Sequence, residues 1–383
     1  MVSAELEKRT VAWEKGGFSR PVLRGEARPG NAAVAHFEAV AKIGPTSSDQ
    51  IGWTEDALDA IRAGAPPPVL LAFARAKAEG LSELRAATQH KEAWKPLDVR
   101  SGKDADAPFS YPKSWRALLL LLALASEEPG DECLRIAADG LRTMWDIAPS
   151  GGMVGQAFGS NAAKMVLPFA TTCLRRARPG DLTPAAAEFR AILRDAPTIG
   201  EACYADDLAL AWHFKPGANK ESYYPKTFAN ILLAKERREL VGWQRTLLDW
   251  ADRFRRITPD RYPWVWQEIA SQVAGLPTGV KKTRLETTLS YVEKWGAKDR
   301  EAQALMRAMV LGLGLLGGTS EALSGDPLLR DPWSGGPLLW RRATATAPAV
   351  VYSAGPNGKD EGLAAASDDV GLTFPAIGRD LGS

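Results

Sequence analysis

At 383 residues, with 45% hydrophobic and 25% charged side chains, the chain can bury a sizeable core and is neither disordered nor fibrous. Forty-eight basic residues balance 46 acidic ones to a net charge of +2, so no global field recruits nucleic acid or an anionic membrane. The longest apolar run, residues 117–125 with five consecutive leucines, falls far short of the ~20 residues that cross a bilayer and predicts a buried core helix.

The first nine residues, MVSAELEKR, carry charges where a signal peptide has its apolar stretch. This leaves two expectations: a periplasmic or envelope-anchored protein whose leader lies outside this sequence and whose Met1 is then not native, or a cytoplasmic one. The cysteines, Cys133, Cys173 and Cys203, make neither a dense disulfide framework nor a CxxC metal site, so core thiols are the default.

From residue 31 to 317 a 3.6-residue periodicity, punctuated by Gly, Pro and capping residues, predicts a succession of helices. Asn31 can cap a helix that passes His36 and ends at Ile43, and Thr54 one that passes Ile61 and stops at Gly64. A third helix is expected over 68–79, continuing past Gly80 toward His90, followed by a polar surface loop over 91–112. A helical hairpin over 115–126 and 132–147 turns at Pro129-Gly130, and Ser150-Gly151-Gly152 leads into a helix over 154–176. Cys133 lies 18 residues before Gly151 and Cys173 lies 22 after it. At ~1.5 Å per residue the two thiols reach similar heights on antiparallel helices. The pair can close a disulfide in an oxidising compartment, or be two small residues at a tight crossing, the plainer alternative.

Thr183-Pro184 predicts a helix start and Pro197 its end. Helices are then expected over 200–214, 225–257, 259–274, 280–295 and 299–316, the second forming a spine through Leu240, Trp243, Leu247, Trp250 and Phe254. No fixed-period repeat appears, which favours an irregular helical array over a regular solenoid. After Gly317-Gly318 the pattern changes to Asp-Pro and Gly-Pro turns around two strand-like runs, 338–342 and 349–353, a β-hairpin-like appendix.

Several enzyme classes lack their signatures. The three histidines, His36, His90 and His213, sit at no HExxH or HxH spacing, and there is no GxSxG elbow, GxxxxGK[ST] loop or GxGxxG after a strand. Gly312-Leu313-Gly314 falls inside a helical apolar pattern. Two sets remain. Asp206 and His213, seven residues apart, share a helical face with Glu201 and Asp207 to the sides, and carboxylates beside a histidine can do acid–base work or hold a metal. The plainer reading is first-turn acids that complement the helix dipole. The 13 tryptophans, with Arg253, Arg255, Arg256 and Arg261, offer a platform for sugars or unstacked bases if exposed, although helical spacing favours the core.

The C-terminal stretch is richer in oxygen ligands. Asn357, Asp360, Glu361, Asp368 and Asp369 flank Gly355, Gly358 and Gly362, and Ca²⁺ takes six to eight oxygens from a flexible loop. The alternative is a set of ordinary solvated turn residues.

Residues 331–342, DPWSGGPLLWRR, then 350–362, VVYSAGPNGKDEG, then 368–370, DDV, resemble the C-terminal part of type II secretion major pseudopilins. The same arrangement resembles the ends of uncharacterised myxobacterial and planctomycete envelope proteins, and RPVLRGEARPGNA at 20–32 resembles the N-terminal part of some of these. The resemblance covers about 301–375 and that short patch, leaving the helical middle uncovered. It implies a calcium loop whose ligands map to Asn357, Asp368 and Asp369, with an amide where the pseudopilins have an aspartate. It adds weight to an envelope location and implies no pilus assembly, because the long N-terminal membrane helix is missing.

The expected fold is mainly α: an irregular multi-helix array, solenoid-like or bundled, with an N-terminal segment over 1–30, a helical domain over 31–317 and a β/loop module over 318–383. The expected function is a non-enzymatic cell-envelope scaffold or binding protein whose C-terminal loop takes Ca²⁺ through Asn357, Asp360, Asp368 and Asp369. Its partner is expected to be another protein, with carbohydrate the second class and nucleic acid disfavoured. The alternative is a hydrolase or lyase using Glu201, Asp206 and His213 in a cleft between helices.

Overall fold

The computed structural model describes residues 2–15, 19–44, 55–93, 107–213, 246, 249–250, 253, 262–318, 326–344, 347–364 and 367–375. Helix dominates these residues, as the periodicity predicts. In chain order the helices are α1 (Val2–Glu14), α2 (Ala32–Ile43), α3 (Glu55–Arg62), α4 (Pro68–Ala76), α5 (Ala78–Ala86), α6 (Ala107–Ala125) and α7 (Gly130–Ile147). They continue as α8 (Gly152–Cys173), α9 (Pro179–Asp195), α10 (Ile199–His213), α11 (Tyr262–Ala274) and α12 (Val280–Leu316). Strands β1 (Arg28–Asn31) and β2 (His90–Glu92) pair in parallel, and β3 (Leu339–Arg341), β4 (Ala349–Ser353) and β5 (Val370–Phe374) form an antiparallel sheet in that order. No described helix is long and apolar enough to cross a membrane.

Local signals hold where one residue satisfies one end. The Asn31 side chain accepts from the backbone N–H groups of Ala33 and Val34, at 2.9 and 3.3 Å, and so caps α2. Gly64 takes φ 73 just beyond α3, in the left-handed region open to glycine. The Thr54 cap and most of the expected 225–257 spine lie outside the described residues, although Trp250 is buried.

Several boundaries differ from expectation. The third helix is split at Lys77 into α4 and α5, and the chain after a 3₁₀ turn at Ala87–Gln89 becomes β2 rather than helix. The expected loop 91–112 ends early, because α6 starts at Ala107 and carries Pro112 within it. Pro112 is the sixth residue of α6, past the first turn, so it withholds one N–H from the helical ladder. Thr183-Pro184 is not a helix start: α9 begins at Pro179, where the Asp181 carboxylate accepts from the Arg178 backbone N–H at 2.8 Å, and Pro184 lies inside. The segments over 280–295 and 299–316 are one helix, α12, of 37 residues and about 55 Å, since no cap interrupts it. The appendix is a three-stranded sheet, with β5 added to the expected pair.

Helix α7 lies at the centre, packed by α2, α5, α6, α8 and α9, with every residue from 136 to 147 buried. Two of those residues are acids one heptad apart, Asp139 and Asp146, and each needs a buried cation. The Arg20 guanidinium grips Asp146, with Nε at 2.8 Å from Oδ1 and a second contact to Oδ2. Arg24 reaches both Asp139 and Glu188, and Arg85 Nε donates to Asp139 at 3.0 Å. Residues 20–24 are thereby strapped across α7. Burial pushes the Asp139 carboxyl up to about 6 against the pull of Arg24 and Arg85. Burial also raises Asp146, opposed by Arg142 and Arg20.

Cys133 on α7 and Cys173 on α8 are fully buried and joined by a disulfide, with their Cα atoms 5.7 Å apart. The height argument from the sequence thus places the two thiols in register, and the plainer core-thiol alternative does not describe this pair.

The C-terminal sheet shares the helical core: Leu329, Leu338, Val351, Leu372 and Phe374 belong to the same hydrophobic cluster as α6 to α9 and the second half of α12. The fully buried Phe374 ring lies against Gly312, where a Cβ would overlap it. Gly312 is helical, as its apolar pattern predicts, and its missing side chain serves docking.

Two outcomes test these joints. Reducing the disulfide removes a cross-link across a sequence separation of 40, worth about 4 kcal/mol by loop entropy, and an unfolding midpoint unchanged by reductant in urea would rule the cross-link out. Gly312→Ala is expected to cost about 1–3 kcal/mol by overpacking. Adding Phe374→Leu should recover part of that loss, and strictly additive costs would disprove the contact.

Candidate functional site

The loop between β4 and β5 carries the oxygens that the sequence singles out. Its ends are fixed by strand register, Ser353 opposite Val370, so Asp368 and Asp369 arrive beside the residues that follow Ser353. Gly355, at φ 62, permits the crossing, because a Cβ there would overlap the Asp368 carbonyl. Asp331, 3% exposed, accepts at Oδ1 from the N–H groups of Trp333 and Ser334, and at Oδ2 from the Ser353 hydroxyl at 2.8 Å. Ser353 Oγ in turn accepts from Gly355 N–H at 3.1 Å. One network therefore ties the DPW turn to the end of β4.

Within the loop most polar atoms are spoken for. Asn357 Oδ1 accepts from Lys359 N–H at 2.6 Å, and Asp360 Oδ1 from the Tyr352 hydroxyl at 2.8 Å and Gly362 N–H at 3.1 Å. Asp368 Oδ2 accepts from Asn357 N–H at 3.0 Å, and Asp369 Oδ2 from Leu363 N–H at 2.8 Å and Glu361 N–H at 3.2 Å. The remaining oxygens, Asp368 Oδ1 and Asp369 Oδ1, are buried with no hydrogen-bond partner. Carboxylate oxygens of Glu361, Asp368 and Asp369 lie within 4.8 Å of one another. Of the expected ligand set, Asp368 and Asp369 come together, Asn357 and Asp360 turn to local backbone and Tyr352, and Glu361 joins the cluster. An all-oxygen set of this kind suits a hard divalent cation, which removes like-charge repulsion and answers orphaned oxygens at once.

The helical acids are brought to different tasks. Glu201 caps its own helix, accepting from Thr198 N–H at 2.9 Å, and returns a hydrogen bond to Thr198 Oγ1 at 3.2 Å. Asp206 caps a neighbour: its Oδ2 accepts from Met153 N–H at 2.8 Å at the start of α8, beside Gly152, where a Cβ would overlap the carboxylate. Burial pushes Asp206 up to about 7, partly offset by the Met153 hydrogen bond. His213 ends α10, and its side chain lies outside the described residues. The two acids thus serve two separate helix ends.

The other histidines are structural. His36 is buried, with Nε2 at 2.8 Å from Ser114 Oγ, and burial lowers it to about 3, while His90 Nδ1 meets the Pro29 carbonyl at 2.9 Å. Among the tryptophans, Trp250 is buried and Trp295 half-buried under the Lys298 ammonium, and Arg253 is paired with Glu268. Trp243, Trp264 and Trp266 lie outside the described side chains. Sequence reasoning missed the buried Arg20, Arg142 and Asp146 group, although Asp139, Arg142 and Asp146 inside an apolar helix were a readable sign of buried ion pairs.

Compared with known proteins, the chain matches no protein-family model, no curated protein and no solved structure.

The Asp206 environment has a definite pH signature. Its unfolded carboxyl ionises near 3.8 and its folded one near 7, so between these values the folded state holds a proton that the unfolded state has lost. Stability from this group is complete at low pH and falls as pH rises toward 7, by up to about 1.4 kcal/mol per pH unit. Asp206→Asn should therefore gain stability over the parent between pH 5 and pH 8 in denaturant titrations. A gap independent of pH would refute the raised carboxyl.

Proposed function

We propose that the chain is a non-enzymatic cell-envelope protein, a helical scaffold or binding domain whose C-terminal module is held by Ca²⁺. The observation that carries this reading is the pair of buried, unanswered oxygens Asp368 Oδ1 and Asp369 Oδ1 beside Glu361. A buried acceptor without a donor costs about 1–3 kcal/mol, more for a charged one, and a bound cation offsets that cost. Glu361, Asp368 and Asp369 would hold the ion, which would supply only charge neutralisation and cross-linking between the two ends of the loop. The pseudopilin-like motifs support the same assignment, with Glu361 compensating for the amide at Asn357.

The envelope location draws support from the buried Cys133–Cys173 disulfide, a bond that persists in oxidising compartments. The non-enzymatic reading draws support from Glu201 and Asp206, which are committed to helix ends. The partner we propose is another protein.

Thermal melting tests the ion. Excess Ca²⁺ at a hundred times its dissociation constant should stabilise the protein by about 2.7 kcal/mol over chelator-treated protein. Asp369→Asn should abolish the shift. Identical melting with Ca²⁺ and with chelator would end the calcium reading.

A further inference from the structure

The loop that gathers Glu361, Asp368 and Asp369 is braced from outside the acid cluster, by a residue of β3. Val351 and Leu372, opposite each other in the sheet, belong to the helical core, so their neighbours along the strands, Val350 and Thr373, face outward. Arg341 is in register with Val350 and stands on the same outer face, as does Tyr352 one residue beyond Val351. Tyr352 is nevertheless only 2% exposed, because the β4–β5 loop folds back over it.

Arg341 joins the strand to that loop. Its guanidinium lies 5.5 Å from the centre of the Tyr352 ring, and its Nη2 donates to the Gly362 carbonyl. Gly362 takes φ 72, and a Cβ there would stand 2.8 Å from Arg341 Nη2, so glycine is what lets the guanidinium approach. The residues on either side of Gly362 are the ones that meet Asp369: Glu361 N–H and Leu363 N–H both donate to its Oδ2. Leu363 itself sits at φ 58, a conformation that a branched side chain adopts only when its surroundings hold it there. The turn 361–363 is therefore gripped from two sides, by Asp369 and by Arg341, and it carries Glu361 to the two aspartates. A cation beside the acids acts on an incoming cation in two opposed ways. It repels the ion, weakly because Arg341 is exposed and water and salt screen its charge, and it favours binding by fixing the turn in advance.

We propose that Arg341 is the positioning residue of the ion-binding loop: by clamping the Gly362 carbonyl it holds Glu361 against Asp368 and Asp369 before the cation arrives, and so sets the affinity for Ca²⁺. The proposal rests on the calcium reading. Arg341 is not a ligand, and its effect on the ion runs through the backbone of 361–363.

Calorimetric titration of the full chain with calcium chloride, in the parent, Arg341→Met and Arg341→Lys, tests it. Arg341→Met keeps an unbranched apolar stem and removes both donor and charge, and should weaken Ca²⁺ at least about threefold, the loss of one net hydrogen bond. Arg341→Lys keeps a charged donor and should fall between the parent and Arg341→Met. In ¹⁵N spectra of chelator-treated protein, the amide signals of Glu361, Gly362 and Leu363 should move in Arg341→Met while those of α7 stay in place. A parent that takes up no Ca²⁺ would end the calcium reading and this proposal together. A parent that binds Ca²⁺ while Arg341→Met binds it as tightly would overturn the positioning role alone. So would tighter binding by Arg341→Met, the sign expected if Arg341 acted only through its charge, an Arg341→Lys variant no better than Arg341→Met, or amide signals of 361–363 that do not move.

Discussion

The pairing of two buried carboxylates on one helix with arginines brought from elsewhere in the chain is the constraint around which the molecule is arranged. Asp139 and Asp146 sit on α7, which is buried on all sides over 136–147. An ionised carboxylate in that position costs several kcal/mol unless a cation meets it with good geometry. Arg20, Arg24, Arg85 and Arg142 do so. Removing one partner leaves the other charge stranded, so these pairs act less as a source of net stability than as a demand for one arrangement. The N-terminal segment must cross α7 where Arg20 and Arg24 both reach, and α5 must present Arg85 to the same acid. A cavity beside Trp145 follows from this strap, because its wall is Arg20 and Pro21.

A parallel constraint acts at the other end of the chain. The C-terminal sheet has three strands, the fewest that hold together in water, and then only with their apolar face covered. It is stable by resting on the helices, with Phe374 pressed against the bare backbone at Gly312 and Leu372 in the common core. Asp331 and Ser353 then lock the turn before β3 to the end of β4. The β4–β5 loop is held at both ends and tightly folded back on itself, which is how three acids come to share a small volume. Like charges crowd there because the backbone leaves them nowhere else to go.

The two ends pose complementary problems. In the loop, carboxylate oxygens lack donors; beside Trp145, N–H donors lack acceptors. Buried polar groups in folded proteins are nearly all paired, so each imbalance stands out against the rest of the core. The paired acids of α10 show the contrast. Glu201 and Asp206 look equally reactive in a sequence, yet each is consumed by the N–H groups of a helix start.

Much of the fold was legible because its determinants are local. Helical periodicity, the Asn31 cap and the turn glycines act within a few residues of themselves, and the chain obeys them. The equal heights of Cys133 and Cys173 followed from helix rise alone. The sequence was misleading where two local signals competed, as at Thr183-Pro184, where the Asp181 cap one turn earlier prevailed. It was also misleading where nothing local marks continuity, as at the expected gap between two helices that is the middle of α12.

What the sequence by itself determined was the class of each segment and the inventory of oxygens in the last loop, since both depend on neighbours along the chain. Only the tertiary structure decided which of those oxygens meet, exchanging Asn357 and Asp360 for Glu361, and which arginine answers which aspartate across separations such as 126 residues. Those choices depend on burial, and a carboxylate reveals whether it is satisfied only when everything packed against it is in place.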